Sequence, residues 1–196
     1  MTVSPRSPRD PDIIREAVER DAPAIARLHR DSWRRHYRGA FSDAFLDGGV
    51  DELLRAKWSG RLARPDHRAR TIVAEDDGTL AGFAHVILGD DPRWGALLDN
   101  LHVAAGRKRG GIGTLLMAQT ARAVLDSSPS SGLYLWVLEQ NASAQAFYAA
   151  RGGTRVERAR AEPPDGDPAA LNGTVMVLRI AWPDPSTLLE PASGGS

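Results

Sequence analysis

Residues 101–116 read LHVAAGRKRGGIGTLL and are the most informative stretch of the chain. Its apolar start predicts a strand that ends at Val103, and its apolar end predicts a helix that begins at about Ile112. A helix N-terminus leaves several backbone N–H groups unpaired and carries partial positive charge, so it attracts anions. Glycines also let the backbone approach a phosphate closely. The loop residues that supply these properties are Gly110, Gly111 and Gly113, with the basic residues Arg107, Lys108 and Arg109 beside them. The segment therefore predicts a phosphate-binding strand–loop–helix unit.

The spacing of the glycines narrows the class of phosphate ligand. The P-loop pattern G-x-x-x-x-G-K-[ST] is absent, which argues against a nucleoside triphosphatase. The dinucleotide pattern G-x-G-x-x-G also fails, because Gly111 and Gly113 are followed by Leu116 where a third glycine is needed. On this segment alone, a plain helix start beside a solvated basic run remains an open alternative.

The rest of the sequence predicts strands and helices around this unit. The expected strands are 13–18, 71–74, 80–88, 97–103, 133–138 and 174–180, with another after Gly153. The expected helices begin after the Asp21-Ala-Pro cap and cover 41–62, 112–125 and 143–150. The segment 133–138 is apolar on both faces, which is typical of a central strand covered on both sides. This order predicts an α/β fold with a mixed sheet. We expect one domain over 12–182, between loose tails at 1–11 and 183–196.

The composition excludes several functional classes. The chain has 196 residues, of which 42% are hydrophobic and 26% charged, as in a globular domain. Lys+Arg and Asp+Glu both number 25, so the net charge is zero and a nucleic-acid partner is not expected. The absence of cysteine excludes disulfides and thiolate sites, and the five histidines lack ligand spacing, so no metal is expected. Neither a membrane span nor a secretory signal is visible, so we expect a soluble, cytoplasmic protein.

A second informative stretch, NASAQAFY at 141–148, directly follows the predicted central strand. Together with the loop at 108–113, it resembles the two defining motifs of the GCN5-related N-acetyltransferase superfamily. The first motif reads [Q/R]-x-x-G-x-[G/A]. The second reads N-x-x-[A/S]-x-x-[F/L]-Y and is matched by Asn141, Ala144, Phe147 and Tyr148. The resemblance implies a mostly antiparallel sheet of about seven strands, with helices on both faces and a splay at the acetyl-coenzyme A site.

The chain departs from the family pattern at two positions. Lys108 replaces the usual Gln or Arg, which changes side-chain contacts and leaves the backbone loop intact. Gly153 stands where the family usually has a phenylalanine, which removes an aromatic ring before the next strand.

The resemblance implies acetyl-coenzyme A as co-substrate. The backbone amides of 109–114 would hold its pyrophosphate, and the strand end at 101–103 would face the pantetheine arm and the acetyl carbonyl. The residues expected at the cofactor are Leu101, His102, Val103, Lys108, Arg109, Gly110, Gly111, Ile112, Gly113, Thr114, Asn141, Ala144 and Phe147. Asn141 also suits a helix N-cap.

Tyr148 and Asp99 are the residues to which we assign catalytic roles. By family analogy, Tyr148 protonates the coenzyme A sulfur, and a phenol is a suitable acid for a departing thiolate. The alternative for Tyr148 is a packed aromatic. Asp99 lies on the strand expected to line the cleft and is a base or substrate anchor, against the alternative of a structural ion pair. His102 and His85 are further candidates for the base, and a water chain is the alternative to any single base.

The acceptor is expected to bind beside the segment 31–39, which is rich in aromatic and basic residues. In the superfamily this region lines the acceptor pocket, so Trp33 and Tyr37 are expected to bind substrate together with Asp99. Packing of both rings into the core is the alternative. The W-x-x-x-Y-x-G pattern resembles bacterial small-molecule acetyltransferases, including polyamine-acetylating members. The other wall is expected from the loop 159–173, whose acidic residues suit a cationic amine.

Two functional hypotheses follow from the sequence. The first is transfer of an acetyl group from acetyl-coenzyme A to a primary amine of a small molecule or peptide, by direct attack in a ternary complex. The second is a non-enzymatic acyl-coenzyme A-binding regulatory domain on the same fold, because fold does not determine chemistry. A binder of a different phosphate ligand is a third interpretation. The expected partner is an amine acceptor, without a membrane or nucleic-acid partner and with a homodimer as an open option.

Overall fold

The computed structural model describes residues 11, 13–107 and 110–189. Its strands are β1 (Ile13–Glu16), β2 (Ala69–Asp76), β3 (Thr79–Asp91), β4 (Gly95–Val103), β5 (Leu133–Leu138), β6 (Thr154–Arg160) and β7 (Met176–Trp182). Its helices are α1 (Ala22–His36), α2 (Val50–Ala63), α3 (Ile112–Ser127) and α4 (Ala142–Ala149). The strands form one sheet in the order β1-β2-β3-β4-β5-β7-β6. The predicted α/β fold with a mixed sheet is confirmed.

The Asp-Gly turn between β2 and β3 forms the predicted hairpin. Asp77 and Gly78 both have positive φ, at 51° and 67°, as a tight two-residue hairpin turn requires. Asp76 and Thr79 are paired on either side of the turn. The pairing continues well past the turn, so both strands are longer than the sequence pattern predicted.

The predicted helix over 41–62 is confirmed from residue 43 onward, whereas Phe41 and Ser42 lie outside it. Phe41 forms isolated β-bridges with Arg38 and Leu171, and one turn of π-helix over Phe45–Gly49 precedes α2. Two adjacent glycines end that turn, and glycine is a poor residue for a helix interior. Phe41, Phe45 and Leu46 of this segment pack in a separate cluster with Leu138, the last residue of β5.

The parallel pair β4–β5 separates soon after it begins. It has two residue pairs, Ala96 with Leu133 and Leu97 with Tyr134, although the strands continue to Val103 and Leu138. The other five neighbouring pairs of strands in the sheet are antiparallel. Within the described residues, β4 therefore has no strand beside it on the β5 side after Leu97. The splay is confirmed, and the backbone groups of the last part of β4 face a cleft.

Helices cover both faces of the sheet. On one face α3 packs on β2, β3 and β4 and buries Leu116 and Met117 in the core. On the other face α1 and α2 bury Ile25 and Trp58 against Phe83 of β3. The cleft between β4 and β5 therefore lies between the two helical layers.

The packed part of the chain extends beyond the predicted domain end at residue 182. Pro185–Leu188 form a 3-10 turn, and Leu188 is buried in the core beside α3, so the packed part of the chain continues past Trp182. Residues 1–10 and 190–196 of the expected tails lie outside the described residues. Of the helices that the model describes, none has the length and apolar character needed to cross a membrane.

Candidate functional site

A β-bulge places Asp99 at the point where β4 leaves β5. On β3, the adjacent residues His85 and Val86 pair with Asn100 and Leu98 of β4. Asp99, between those two partners, is therefore the extra residue on β4. Such a bulge leaves its extra residue outside the ladder and re-aims the side chains around it. Leu98 packs into the α3 side of the core, whereas the Asp99 carboxylate turns towards α2. The bulge thus delivers a carboxylate to the cleft.

The glycine-rich loop ends as a turn that opens the N-terminus of α3. Gly111 is the N-cap residue with φ 81°, a left-handed conformation that glycine adopts without strain. Among the described residues no side chain caps this helix, so the first backbone N–H groups of α3 are available to an anion. Gly110 and Gly111 lie within the described residues at this turn, whereas the predicted cofactor residues Lys108 and Arg109 lie outside them.

The two sequence motifs meet at Gly113. A Cβ at this position would lie 3.1 Å from Cζ of Phe147, which is closer than a side chain tolerates without movement. Glycine at this position therefore lets Phe147 of α4 pack close to α3 without a shift of its ring. Asn141 caps α4 by accepting a hydrogen bond from the Ala144 N–H at 3.2 Å. Ala144 and Phe147 both pack partly buried against the α3 core cluster.

Arg151, which the sequence analysis did not single out, joins these two helices. Its Nε donates to Oγ1 of Thr114 at 3.1 Å, and its Nη2 also donates to that oxygen. Its guanidinium lies over the Phe147 ring, 3.9 Å from the centroid. Burial lowers the pKa of Arg151, and no carboxylate pairs with it among the described residues. The signal in the sequence was the spacing of four residues from Phe147, which places a cation over an aromatic ring on a helix.

Tyr148 is buried on α4 with its hydroxyl unbonded. The ring contacts those of Phe147 and Trp182, at centroid distances of 5.3 and 6.0 Å. The hydroxyl has no hydrogen-bond partner among the described residues, and burial raises the pKa of the phenol. Tyr148 therefore keeps its proton and has it available to donate.

Tyr37 brings a second phenol to the cleft. Burial raises its pKa to about 12, with a smaller effect from the charge of Asp99. Ionised Tyr37 in turn raises the pKa of Tyr148, so the two phenols lie within electrostatic reach of each other. The Trp33 ring stacks on Tyr37 at 5.3 Å. The segment after Tyr37 is fixed over the end of β5, because Nε2 of Gln140 donates to the Arg38 carbonyl at 2.9 Å.

Asp99 is held in an ion-pair cluster. Its Oδ2 lies 2.9 Å from Nη1 of Arg61 and 3.9 Å from Nζ of Lys57, and it accepts a 2.6 Å hydrogen bond from Nδ2 of Asn100. Burial favours the neutral carboxyl, but the positive charges of Lys57 and Arg61 outweigh burial and hold the pKa of Asp99 below its ordinary value. A carboxylate with a lowered pKa is a weak base, so this geometry favours an anchor over a general base.

The two histidines considered as bases are packed against other side chains. His85 Nδ1 lies 2.8 Å from Oγ1 of Thr71, and burial, followed by the charge of Arg61, lowers the pKa of His85 to about 4. His102 Nδ1 lies 2.8 Å from Oγ of Ser32. Its ring is 4.5 Å from that of His29. Both rings therefore lie on the α1–α2 side of the sheet. Within 13–107 and 110–189, no group of three or more His, Asp or Glu residues could hold a metal ion.

The two expected walls of the acceptor pocket contact each other. The Asn172 N–H donates to the Ala40 carbonyl at 2.8 Å, and the Ser42 N–H donates to the Ala170 carbonyl at 2.9 Å. Asp167 caps a 3-10 turn in this loop. Burial lowers the pKa of Lys57, and the charge of Asp165 is the weakest of the effects that act on it. The loop 161–173 therefore lies beside the segment that follows Tyr37 and within electrostatic reach of α2.

Several known proteins resemble this chain. The model of the acetyltransferase (GNAT) family matches residues 28–152. An uncharacterized N-acetyltransferase of Bacillus subtilis, YuaI, is 30% identical over 179 residues, which cover 89% of this chain and 95% of that protein. A probable N-acetyltransferase of Mycobacterium tuberculosis is 30% identical over 140 residues, which cover 69% of this chain and 75% of that protein.

Solved structures share the fold at low sequence identity. The PaiA N-acetyltransferase of Thermoplasma acidophilum, in complex with coenzyme A, has a TM-score of 0.65 and 20% identity, and the match covers 87% of this chain and 98% of that chain. A GCN5-related N-acetyltransferase of Rhodopseudomonas palustris has a TM-score of 0.67 and 18% identity, with 91% and 98% covered.

Proposed function

Because the chain belongs to the acetyltransferase (GNAT) family, we propose that it transfers an acetyl group from acetyl-coenzyme A to a primary amine of a small molecule or peptide. The observation that carries this proposal is the cleft between β4 and β5. It has the uncapped N-terminus of α3 at one end and the carboxylate of Asp99 beside it. The named N-acetyltransferases among the relatives support an enzyme over the non-enzymatic alternative.

The proposed cofactor site uses backbone groups for most of its contacts. The amides of 109–114 would hold the pyrophosphate, since a helix N-terminus favours a negative charge. Arg151 would add a side-chain cation at Thr114, because the described residues offer its guanidinium no carboxylate. The backbone of Leu101, His102 and Val103 would bind the pantetheine arm and the acetyl carbonyl, as β4 lacks a strand on that side. The PaiA structure, which shares the fold, is a complex with coenzyme A, and this supports coenzyme A as the ligand class.

The proposed reaction is a direct attack in a ternary complex. The amine nitrogen attacks the acetyl carbonyl carbon and forms the new C–N bond, and the C–S bond then breaks. The departing thiolate takes the proton of the Tyr148 hydroxyl, which is protonated at neutral pH because burial raises its pKa. The proton lost by the amine passes to water, and one proton returns from water to Tyr148. Asp99 accepts an N–H of the amine and orients it, because its lowered pKa makes it a poor proton acceptor.

The test of this function is binding of acetyl-coenzyme A by calorimetry, followed by thiol release with a panel of amines. Gly111→Asp places a carboxylate at the expected pyrophosphate site and should weaken binding by about 100-fold or more. Gly111→Asn is the matched control, because Asp and Asn tolerate the positive φ of this position equally well. The Asn variant should retain most of the affinity. Normal binding by the Asp variant would show that the pyrophosphate does not lie on the α3 N-terminus.

A further inference from the structure

Two cations on α2 converge on the single carboxylate at the bulge of β4. Arg61 lies 2.9 Å from Oδ2 of Asp99 and Lys57 lies 3.9 Å from it, so this part of the cleft carries an excess of positive charge. Asp165 offsets the excess only weakly, since its charge has the smallest of the effects that act on Lys57. A purely cationic acceptor would meet this excess as repulsion.

Lys57 and Asp99 each retain hydrogen-bonding capacity. The 3.9 Å distance from Lys57 Nζ to the carboxylate is too long for a hydrogen bond, and the ammonium makes none to the described residues. The Lys57 side chain is 33% exposed, so it is partly desolvated and still reachable. On Asp99, Oδ2 accepts from Asn100 and is the oxygen that faces Arg61 and Lys57, whereas Oδ1 accepts no hydrogen bond from the described residues.

Among the described residues, the Lys57 ammonium and Asp99 Oδ1 are therefore a donor and an acceptor without a hydrogen bond, side by side, which is the complement of a zwitterion. We propose that the acceptor is a free amino acid or a close analogue, whose amine donates to Asp99 Oδ1 and whose carboxylate accepts from Lys57 Nζ. This inference rests on the proposed acetyl transfer and adds the class of acceptor. The amine is then held at the bulge, where β4 borders the cleft. A polyamine lacks the anionic group and brings a second ammonium towards Lys57, so it fits this site poorly.

The role of Arg61 differs from that of Lys57. Arg61 is engaged by Asp99 at 2.9 Å and by the Trp58 ring, with its guanidinium carbon 5.3 Å from the centroid. It therefore balances the charge of Asp99 as an ion pair, although its Nη1 makes no hydrogen bond of good geometry among the described residues. Lys57, one helical turn earlier on α2, is left to bind the ligand.

The experiment compares matched acceptors by thiol release from acetyl-coenzyme A. Each standard amino acid is assayed beside its decarboxylated amine and its methyl ester, which keep the side chain and remove the negative charge. At least one amino acid should have a kcat/KM about 10-fold or more above both counterparts, the scale of a charge-assisted hydrogen bond. Preference for the amines or the esters would overturn the proposal, and so would the absence of any acetylated amino acid while acetyl-coenzyme A binds.

The Lys57→Met variant tests the residue directly. It keeps an unbranched side chain of similar length and removes the charge, so the preference for the amino acid should fall to within about threefold, mainly through KM. Lys57→Arg should keep much of the preference. Affinity for acetyl-coenzyme A, measured by calorimetry, should be unchanged in both variants. An undiminished preference in Lys57→Met would refute the assignment of Lys57. Failure of the wild-type protein to bind acetyl-coenzyme A would instead refute the proposed function itself.

Discussion

Tyr148→Phe separates a catalytic phenol from a packed aromatic ring. The substitution keeps the ring contacts with Phe147 and Trp182 and removes only the hydroxyl. If the hydroxyl protonates the departing thiolate, kcat should fall by about 100-fold, which corresponds to about 2.7 kcal/mol of transition-state stabilisation. The affinity for acetyl-coenzyme A should change little, because the N-terminus of α3 and the backbone of β4 are untouched.

The structure also predicts the effect of this substitution on stability. The Tyr148 hydroxyl has no partner among the described residues, so its loss removes no hydrogen bond, and the free energy of unfolding should change by less than about 0.5 kcal/mol. Tyr134→Phe is the matched control. Tyr134 lies near the start of β5, and its hydroxyl donates a part-buried hydrogen bond to Asp90 of β3. Its loss should therefore cost about 1 kcal/mol of stability and leave turnover unchanged.

Tyr148→Phe should therefore lower turnover with little effect on stability, and Tyr134→Phe should lower stability with little effect on turnover. Turnover is followed by thiol release at saturating acetyl-coenzyme A, and stability is followed by urea denaturation. Wild-type turnover in Tyr148→Phe, together with a loss of stability like that of Tyr134→Phe, would show that Tyr148 is structural. A loss of turnover in both variants would show that the assay reports general damage to β5 and α4.

Two further predictions concern Arg151 and His85. Arg151→Met should weaken acetyl-coenzyme A binding by about 10-fold in calorimetry, because it removes the cation at Thr114, and equal affinity would show that the guanidinium only ties α4 to α3. Burial lowers the pKa of His85 to about 4, so the unfolded chain takes up a proton between pH 6.5 and 4 that the folded protein excludes. As the pH decreases through this window, the free energy of unfolding should decrease by up to about 3 kcal/mol because of this site. In urea titrations, His85→Gln should show a weaker dependence of stability on pH. An unchanged slope in that variant would assign the acid sensitivity to other groups.

The parts of the fold that local sequence determines were predicted well. The limits of β5, Leu133–Leu138, agree with the sequence pattern because all of its residues are apolar and turn residues flank it. The Asp77–Gly78 turn was predicted from two residues, since few other pairs adopt positive φ at both positions. The glycine loop was found from its position between a strand and a helix. Each of these features depends on neighbouring residues alone.

Gly153 stands where the family usually has a phenylalanine, and side chains of β7 occupy the space beside it. A Cβ at Gly153 would lie 2.6 Å from both Ile180 Cγ2 and Trp182 Cζ2, two side chains of β7. Trp182 also donates from Nε1 to the Arg151 carbonyl at 2.8 Å. The space beside position 153 is thus occupied by the Trp182 ring of β7. The sequence pattern could not show this, because the two positions meet only in the folded sheet.

The features that the sequence could not predict depend on contacts between distant segments. The pattern of 97–103 suggested a regular strand, and only the pairing with β3 reveals that Asp99 is a bulge. The cations that lower its pKa come from α2, which the sequence gives no reason to place against β4. The role of Asp99 at the site stays a prediction, and the positions of Lys57 and Arg61, which the sequence does not show, favour an anchor over a base.

The bulge connects substrate recognition with the position of the reaction. It breaks the β3–β4 ladder at Asp99, and two residues before it β4 parts from β5, so the exposed backbone of β4 and the carboxylate occupy the same stretch of chain. An amine that donates to Asp99 is therefore placed against the strand that would hold the acetyl carbonyl. Because Lys57 and Arg61 keep Asp99 ionised and weakly basic, that carboxylate can orient the amine without taking its proton. In the proposed reaction the proton of the amine must then pass to water in the cleft. The charged side chains of Asp99, Lys57 and Arg61 make this part of the proposed acceptor site polar, which is consistent with that route.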